Sequence, residues 1–286
     1  MNIEQFDYDL PRELIAQYPV ERGKERLLAL NRAEGGICHG QFEDILEYLS
    51  DDDLLVLNDT KVIYARLSGR KATGGRVEVF LIKNISPQKW YCFVRASKSP
   101  RPGMEIFFDN GLSAVVVDRI DDRYEVAFSD PDLINRAGKI PLPPYIDRDA
   151  EKIDEMSYQT VYARSDGSVA APTAGLHFTE EILKRIQSRG TQLVYVTLHV
   201  GPGTFVPVRT QRIEDHSMHA EEFTVSEDAA DAIRHAMNKN RRIVAVGTTT
   251  SRVLEHLMLS YGEIIPGTGS TDIFIYQGFT FRCVGA

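Results

Sequence analysis

Only three cysteines occur in 286 residues, Cys38, Cys92 and Cys283, and no two of them are spaced as metal ligands. So few exclude a disulfide framework or a zinc ribbon as the organising device. No run of 18 or more apolar residues is present, which argues against a membrane-spanning helix. The opening segment MNIEQFDYDLPRELIAQYP is acidic and lacks the basic, apolar layout of a secretory signal. Together these absences predict a cytoplasmic protein with no membrane partner. Common catalytic fingerprints are missing too: there is no Gly-Lys-Ser/Thr phosphate loop, no GxGxxG, no HExxH and no Gly-x-Ser-x-Gly elbow. That disfavours P-loop nucleotidases, dinucleotide enzymes, zincin proteases and serine hydrolases.

The net charge of −8 argues against indiscriminate nucleic-acid binding, yet it conceals an asymmetry. From Thr60 to Arg101 the cations Lys61, Arg66, Arg70, Lys71, Arg76, Lys83, Lys89, Arg95, Lys98 and Arg101 face a single acid, Glu78. Either the cations protect strand edges from pairing with other chains, or they form a docking surface for phosphates.

Period and punctuation divide the chain. Leu54–Leu57 is a short apolar strand ended by the turn signal Asn58-Asp59. Short strand candidates then recur about every ten residues: Tyr64–Leu67, Arg76–Ile82, Trp90–Val94, Glu105–Phe108, Ser113–Val117 and Tyr124–Phe128. This spacing predicts a small barrel or sandwich. Pro141-Leu142-Pro143-Pro144 marks a stiff boundary, after which helices and strands alternate. Thr179–Arg189 and the segment after Ser226 read as helices, and Leu193–Val200 and Arg242–Val246 as strands. Gly247–Arg252 reads as a turn before the helix VLEHLML. The expected fold is α/β: a mixed, partly parallel sheet domain (1–62 and 150–286) interrupted by a small antiparallel β-barrel (63–149). A monomer is expected.

Two histidines lie beside glycine-rich turns: His177 after Thr173-Ala174-Gly175, and His199 before Gly201-Pro202-Gly203-Thr204. Strand ends next to such turns are where open α/β sheets bind ligands. Imidazole titrates near working pH, so His177 and His199 are the acid/base candidates, although any single histidine is more commonly structural. At Gly247-Thr248-Thr249-Thr250-Ser251-Arg252, free N–H groups and a guanidinium suggest an anion site. The alternative there is a well-capped turn whose threonines satisfy backbone groups. Glu221 is a candidate base or hydroxyl-binding carboxylate, with two solvated acids, Glu221 and Glu222, as the bland alternative. His216, His219 and Glu221 raise the question of a zinc site, but a structural or substrate-contacting role is favoured and no metal is expected. His39 lies in a Gly-flanked loop, and His235 and His256 in helices, without an assigned role.

The ordered segments FDYDLPRELIAQYP (Phe6–Pro19), LNDTKVIYARLSGRK (Leu57–Lys71), GGRVEVFLI (Gly74–Ile82) and IPLPPYI (Ile140–Ile146) are similar to a known family. So are YQTVYA with GSVAAPTAGLHFT (Tyr158–Thr179), TLHVGPGTFVPV (Thr197–Val208), HSMHAE (His216–Glu221) and TDIFIYQGFTF (Thr271–Phe281). Along nearly its whole length the chain resembles the S-adenosylmethionine:tRNA ribosyltransferase-isomerases of the queuosine pathway. The resemblance implies transfer and isomerisation of the ribosyl moiety of S-adenosylmethionine onto 7-aminomethyl-7-deazaguanine at a tRNA wobble position. Epoxyqueuosine forms, and adenine and methionine are released. S-adenosylmethionine is then a co-substrate, tRNA the partner, and no prosthetic group is implied.

On that footing His177, His199 and Glu221 are the expected catalytic residues, with Glu221 on the ribose hydroxyls. Thr173, Gly175, Gly201, Gly203, Thr204, His219, Gly247, Thr248 and Thr249 are expected to line the co-substrate site. Phe178 and Phe205 would flank adenine, and Arg252 would hold the methionine carboxylate. Lys61, Arg66, Arg70, Lys71, Arg76, Arg95, Lys98 and Arg101 would meet tRNA. Some positions depart from the family pattern: Ser270 and Gln277 stand where Trp and Pro are usual, and TTTSR replaces Thr-Thr-Ser-Val-Arg. The family's Asn-Phe-His-Leu-Pro motif does not occur in this sequence, so a non-catalytic tRNA- or nucleotide-binding relative is the second expectation. A metal-dependent hydrolase built on His216, His219 and Glu221 is the third.

Overall fold

The computed structural model describes residues Met1–Ala286. The chain forms two units: Met1–Lys61, Gln159–Ser165 and Ala171–Ala286 make one, and Val62–Tyr158 with Asp166–Ala170 makes the other.

The first unit is built on a five-stranded sheet in the order Ile243–Ala245, Leu54–Asn58, Gln192–Leu198, Glu221–Val225, Gly267–Thr271. The first three strands run parallel and the last two are antiparallel additions. Leu54, Leu55, Val56 and Leu57 are all buried, because a central parallel strand is covered on both faces. The helix Glu180–Ser188 packs Ile182, Leu183 and Ile186 against Phe42, Leu46, Leu55 and Leu57. Its N-cap is Thr179, whose hydroxyl accepts the Ile182 N–H at 3.1 Å. A second helix, Glu227–Asn238, is capped by Ser226 and buries Ala229, Ala230, Ile233 and Ala236.

Two elements differ from expectation. Residues Arg26–Asn31 and Gly36–Gln41 form an antiparallel hairpin, so His39 lies in a strand and not in a loop. The third helix spans Gly247–Tyr261, so Gly247–Arg252 is its first turn and a half and not a turn ahead of it. Residues at the C-terminus extend the sheet edge: the Gly285 N–H donates to Ile243 O (2.9 Å) and the Ala245 N–H to Ala286 O (2.8 Å). The buried Glu255 carboxylate accepts the N–H groups of Arg282, Cys283 and Val284 at 2.8–2.9 Å.

The second unit is a closed antiparallel barrel of six strands in the order Arg66–Lys71, Arg76–Ser86, Lys89–Ala96, Arg123–Phe128, Ser113–Ile120, Glu105–Phe108. Pairing of Gly69–Lys71 with Ile106–Phe108 closes it. The alternation expected of a small barrel is plain: Leu67, Val77, Val79, Leu81, Ile106, Phe108, Ala114, Val116, Tyr124, Val126 and Phe128 fill the interior. Gly69 is tied to this closure, since a Cβ there would lie 2.8 Å from Phe107 O and 2.9 Å from Ile106 Cγ2. Burial raises the thiol of Cys92 far above its ordinary range and that of Cys283 to about 12, so neither is a ready nucleophile.

Asp53 ties the N-terminal ends of the three parallel strands together. Its carboxylate accepts from Arg242 Nε (2.9 Å) and Nη2 (2.6 Å) and from the Ser50 N–H (2.7 Å). Its carbonyl accepts from Arg241 Nη2 and the Gln192 N–H. Burial alone would raise the Asp53 carboxyl, but Arg242 and the Ser50 amide outweigh it and hold the group below its ordinary value. Its contribution is therefore fully present above the unfolded-state value of about 3.9 and is lost as pH falls through the lower folded-state value. Asp53→Asn is expected to cost about 1–3 kcal/mol at pH 7, discounted because Arg242 is half-exposed. In urea titrations the penalty should shrink below pH 4; a pH-independent penalty would contradict the pairing.

Candidate active site

The C-terminal ends of the parallel strands meet the start of the helix Gly247–Tyr261, and Asn58 joins them. Its Nδ2 donates to Leu198 O (3.0 Å) and Thr249 Oγ1 (3.1 Å), while Oδ1 accepts the N–H groups of Thr60 (3.1 Å) and Leu198 (3.0 Å). The side chain is 1 % exposed and uses both of its amide groups. The turn signal Asn58-Asp59 is thus a buried polar latch. Asp59 is also buried, accepting from Thr197 Oγ1 (2.6 Å) and pairing with Arg164 (3.1 Å).

Thr60 and His199 face each other across this junction, with Oγ1 and Nδ1 2.8 Å apart. His199 thus sits just beyond its strand with a hydroxyl setting its ring. His177 ends a 3₁₀ turn, Thr173–His177, which abuts the helix start: a Cβ on Gly247 would lie 3.2 Å from Ala174 Cβ. The Nδ1 atom of His177 lies 3.2 Å from Glu25 Oε1, and its ring packs on Phe42 with centroids 5.3 Å apart. Glu25 is held by the Gly23 N–H at 2.7 Å. No hydrogen bond or ring contact links the two histidines directly.

Gly175 cannot be replaced without moving the site's floor, because a Cβ would fall 2.1 Å from the Tyr162 hydroxyl and 2.9 Å from Thr160 Cγ2. Tyr162 is buried, and its phenol is raised by desolvation first and by Tyr195 second. Gly203 is equally constrained, its Cβ position lying 2.5–2.8 Å from the ring and Cβ of His219. Thr173, Thr204 and Thr248 are exposed around these turns, with Phe205 half-buried.

Three expected roles do not survive. Phe178 is 3 % exposed and packs edge-on to Phe42 at 4.9 Å within the apolar core, so its ring is not available to flank adenine. Arg252 is not a free fork, because it pairs with Glu221 and also donates to Ile273 O and Thr271 O, both at 3.1 Å. The Glu221 carboxylate is 6 % exposed and also accepts the Gly201 N–H at 2.8 Å, which removes it as a ribose-binding group or base. Both side chains point inward from neighbouring elements, so each satisfies the other, and Glu221 also holds the start of the Gly201–Phe205 turn.

The hydroxyls of Thr250 and Ser251 turn back onto the Val246 and Gly247 carbonyls within the helix. His216 packs on Phe274 instead of joining His219 and Glu221, and no cluster of three His, Cys, Asp or Glu side chains is placed to hold a metal ion. A cavity of about 950 Å³ lies between the hairpin and residues 281–286, and Ser251 of the Gly247–Arg252 segment lines it. Glu25, Asn58, Thr60 and Tyr162 were not legible as site residues, since each owes its place to a partner over 100 residues away or to a glycine that admits it. Removing Glu221 as Glu221→Ala strands a buried guanidinium and should cost about 3–5 kcal/mol. Chemical denaturation should show a loss for Glu221→Gln approaching that of Glu221→Ala, because both leave the guanidinium charge unpaired; near-wild-type stability of Glu221→Gln would contradict the charge pairing.

Comparison with known proteins places these residues in context. Residues 3–286 match the model of a family described as queuosine biosynthesis protein. The chain is 49% identical over 294 residues to the S-adenosylmethionine:tRNA ribosyltransferase-isomerase of Pelobacter propionicus, an alignment covering 100% of this chain and 86% of that protein. It is 50% identical over 285 residues to the protein of the same name from Legionella pneumophila, covering 99% and 84%. It also resembles the crystal structure of S-adenosylmethionine tRNA ribosyltransferase from Thermotoga maritima. There the TM-score is 0.50 at 35% identity, covering 98% of this chain and 82% of that one.

Proposed function

The chain belongs to the S-adenosylmethionine:tRNA ribosyltransferase-isomerase family of queuosine biosynthesis, and from that premise we propose how its own residues carry the reaction. It is an enzyme of that transferase-isomerase class. In the reaction we propose, the ribosyl part of S-adenosylmethionine passes to 7-aminomethyl-7-deazaguanine at the tRNA wobble position and rearranges to the epoxycyclopentane of epoxyqueuosine. Adenine and methionine leave. S-adenosylmethionine is the co-substrate, and the scheme routes no step through a metal or prosthetic group.

The observation that carries this reading is that Thr60 Oγ1 holds Nδ1 of His199 at 2.8 Å, whereas Nδ1 of His177 lies 3.2 Å from Glu25 Oε1 without a hydrogen bond. Fixing one ring nitrogen orients the imidazole for proton transfer. The sulfonium acidifies the hydrogens on the adjacent C5′, and one histidine accepts such a proton. Departing adenine needs a proton returned to it, which the resulting imidazolium supplies. The N–H groups of Gly247–Thr249 at the start of the 15-residue helix offer a positive pole for the methionine carboxylate, in place of the occupied Arg252. Thr173, Gly175, Gly201, Gly203, Thr204, Phe205 and His219 belong to the turns that would border the co-substrate.

Separate His177→Ala and His199→Ala variants are the decisive test. Adenine release from S-adenosylmethionine in the presence of precursor-bearing tRNA should fall about 10²–10⁴-fold in the variant lacking the base. Near-normal turnover in both folded variants would sink the assignment.

The cations of the barrel segment support tRNA as the polymer substrate. Arg70, Arg76, Arg95, Lys98 and Arg101 are exposed; Lys61, Arg66 and Lys71 are half-buried. An interface of this kind should lose on the order of 10³-fold in tRNA affinity between 50 and 200 mM salt. Filter-binding isotherms that do not move with salt would remove these residues from the account.

A further inference from the structure

On the outer wall of the barrel, strand register places three exposed side chains side by side. Phe107 lies opposite Arg70, and Arg70 lies opposite Arg76 on its other flank. The neighbouring inward positions, Ile106, Phe108 and Val77, are buried, so the exposed three share the outer face. Phe107 is 46 % exposed, a large apolar surface for a strand whose core side is already filled. Its ring takes no part in the aromatic and cation–π contacts of this barrel: Phe108 pairs with Phe128, Arg119 lies over Tyr124 and Arg123 over Tyr91.

Two features argue against a structural purpose. Cations on strands usually blunt open sheet edges, but pairing of Gly69–Lys71 with Ile106–Phe108 closes this barrel and leaves no edge there to guard. Like charges directly opposite each other on a sheet are destabilising, and neither Arg70 nor Arg76 has a carboxylate partner. Arg70 reaches only the Gly74 carbonyl, at 3.5 Å. The acids of this face, Glu78 and Glu105, are in other rows: Glu78 pairs with Ser68 and Arg95, and Glu105 with Val115. The barrel thus carries an unneutralised pair of guanidiniums beside an exposed ring.

We propose that the Phe107–Arg70–Arg76 row is a docking platform for an unpaired nucleotide of the tRNA, with Phe107 stacking on the base and the two guanidiniums on the adjoining phosphates. The proposal rests on the tRNA reading above and adds to it a base-contacting residue. A base paired in a duplex buries both faces in its own stack, so an exposed ring selects single-stranded nucleotides. The flanking cations supply the sequence-independent attraction.

The test measures binding of a tRNA transcript, and of a seven-nucleotide single-stranded RNA carrying 2-aminopurine, to the full chain and its Phe107→Ala, Phe107→Trp and Arg76→Ala variants. Circular dichroism and melting curves confirm that each is folded, as expected for changes at exposed positions. Phe107→Ala should weaken tRNA binding about five- to a hundred-fold with an unchanged salt slope, and Phe107→Trp should retain it. Arg76→Ala should lower the salt slope by about one. The 2-aminopurine emission should be quenched by the unaltered chain and by Phe107→Trp, and not by Phe107→Ala. Wild-type tRNA affinity in Phe107→Ala, or equal quenching by it, overturns the platform while leaving the enzyme assignment in place. Failure of the unaltered chain to bind tRNA at all overturns both.

Discussion

The site hangs on one carboxamide. Asn58 satisfies the backbone of Leu198 in both directions, receives the Thr60 amide and reaches Thr249, so a single buried side chain fixes two strand ends and a helix start. Parallel strands lose their ladder partners where they diverge, and each unpaired polar group left buried there costs about 1–3 kcal/mol. A side chain able to donate and accept at once removes that cost. An aspartate at this position would set a negative charge against the Leu198 carbonyl, and a leucine would leave three backbone groups unmatched. His199 and Thr60 meet because this junction is closed, and the geometry of the candidate base follows from it.

Around that latch, small residues matter through what they let in. Gly175 admits the Tyr162 hydroxyl, and Gly203 admits the His219 ring. The glycine-rich turns are therefore close-packed walls, with their side-chain bulk supplied by distant segments. The Arg252–Glu221 pair does comparable work beneath the Gly201 turn, where the charge of each group is justified only by the presence of the other. Groups that looked like ligand-binding chemistry are thus partly the scaffolding that holds the turn rigid.

The barrel strands were legible because alternation and turn residues are local signals, and Glu105–Phe108 falls where its pattern places it. The caps Thr179 and Ser226 were equally readable, since an N-cap acts on residues three positions ahead. Legibility failed where partners are remote. Asn58-Asp59 has turn chemistry but sits under Leu198 and Thr197, about 140 residues away. Phe178 beside His177 suggested a pocket wall, yet its neighbours Phe42 and Ile182 draw it into the core. Arg252 read as an exposed fork because the sequence does not disclose that Glu221 faces it. Family resemblance identified the enzyme class and could not apportion roles among these side chains.

The central strand Leu54–Asn58 is hydrogen-bonded on one side to Gln192–Leu198 and on the other to Ile243–Ala245. On a ribosome its four consecutive apolar residues emerge long before either partner exists. At about 5–20 residues per second, the second partner follows after an interval on the order of 10–40 s. Until that second partner arrives at least one side of the strand is an unpaired hydrophobic edge, and the barrel encoded between it and its partners is synthesised first. The order of synthesis thus lets the inserted unit close before the sheet that brackets it, while the apolar strand waits for its partners until the last third of the chain arrives.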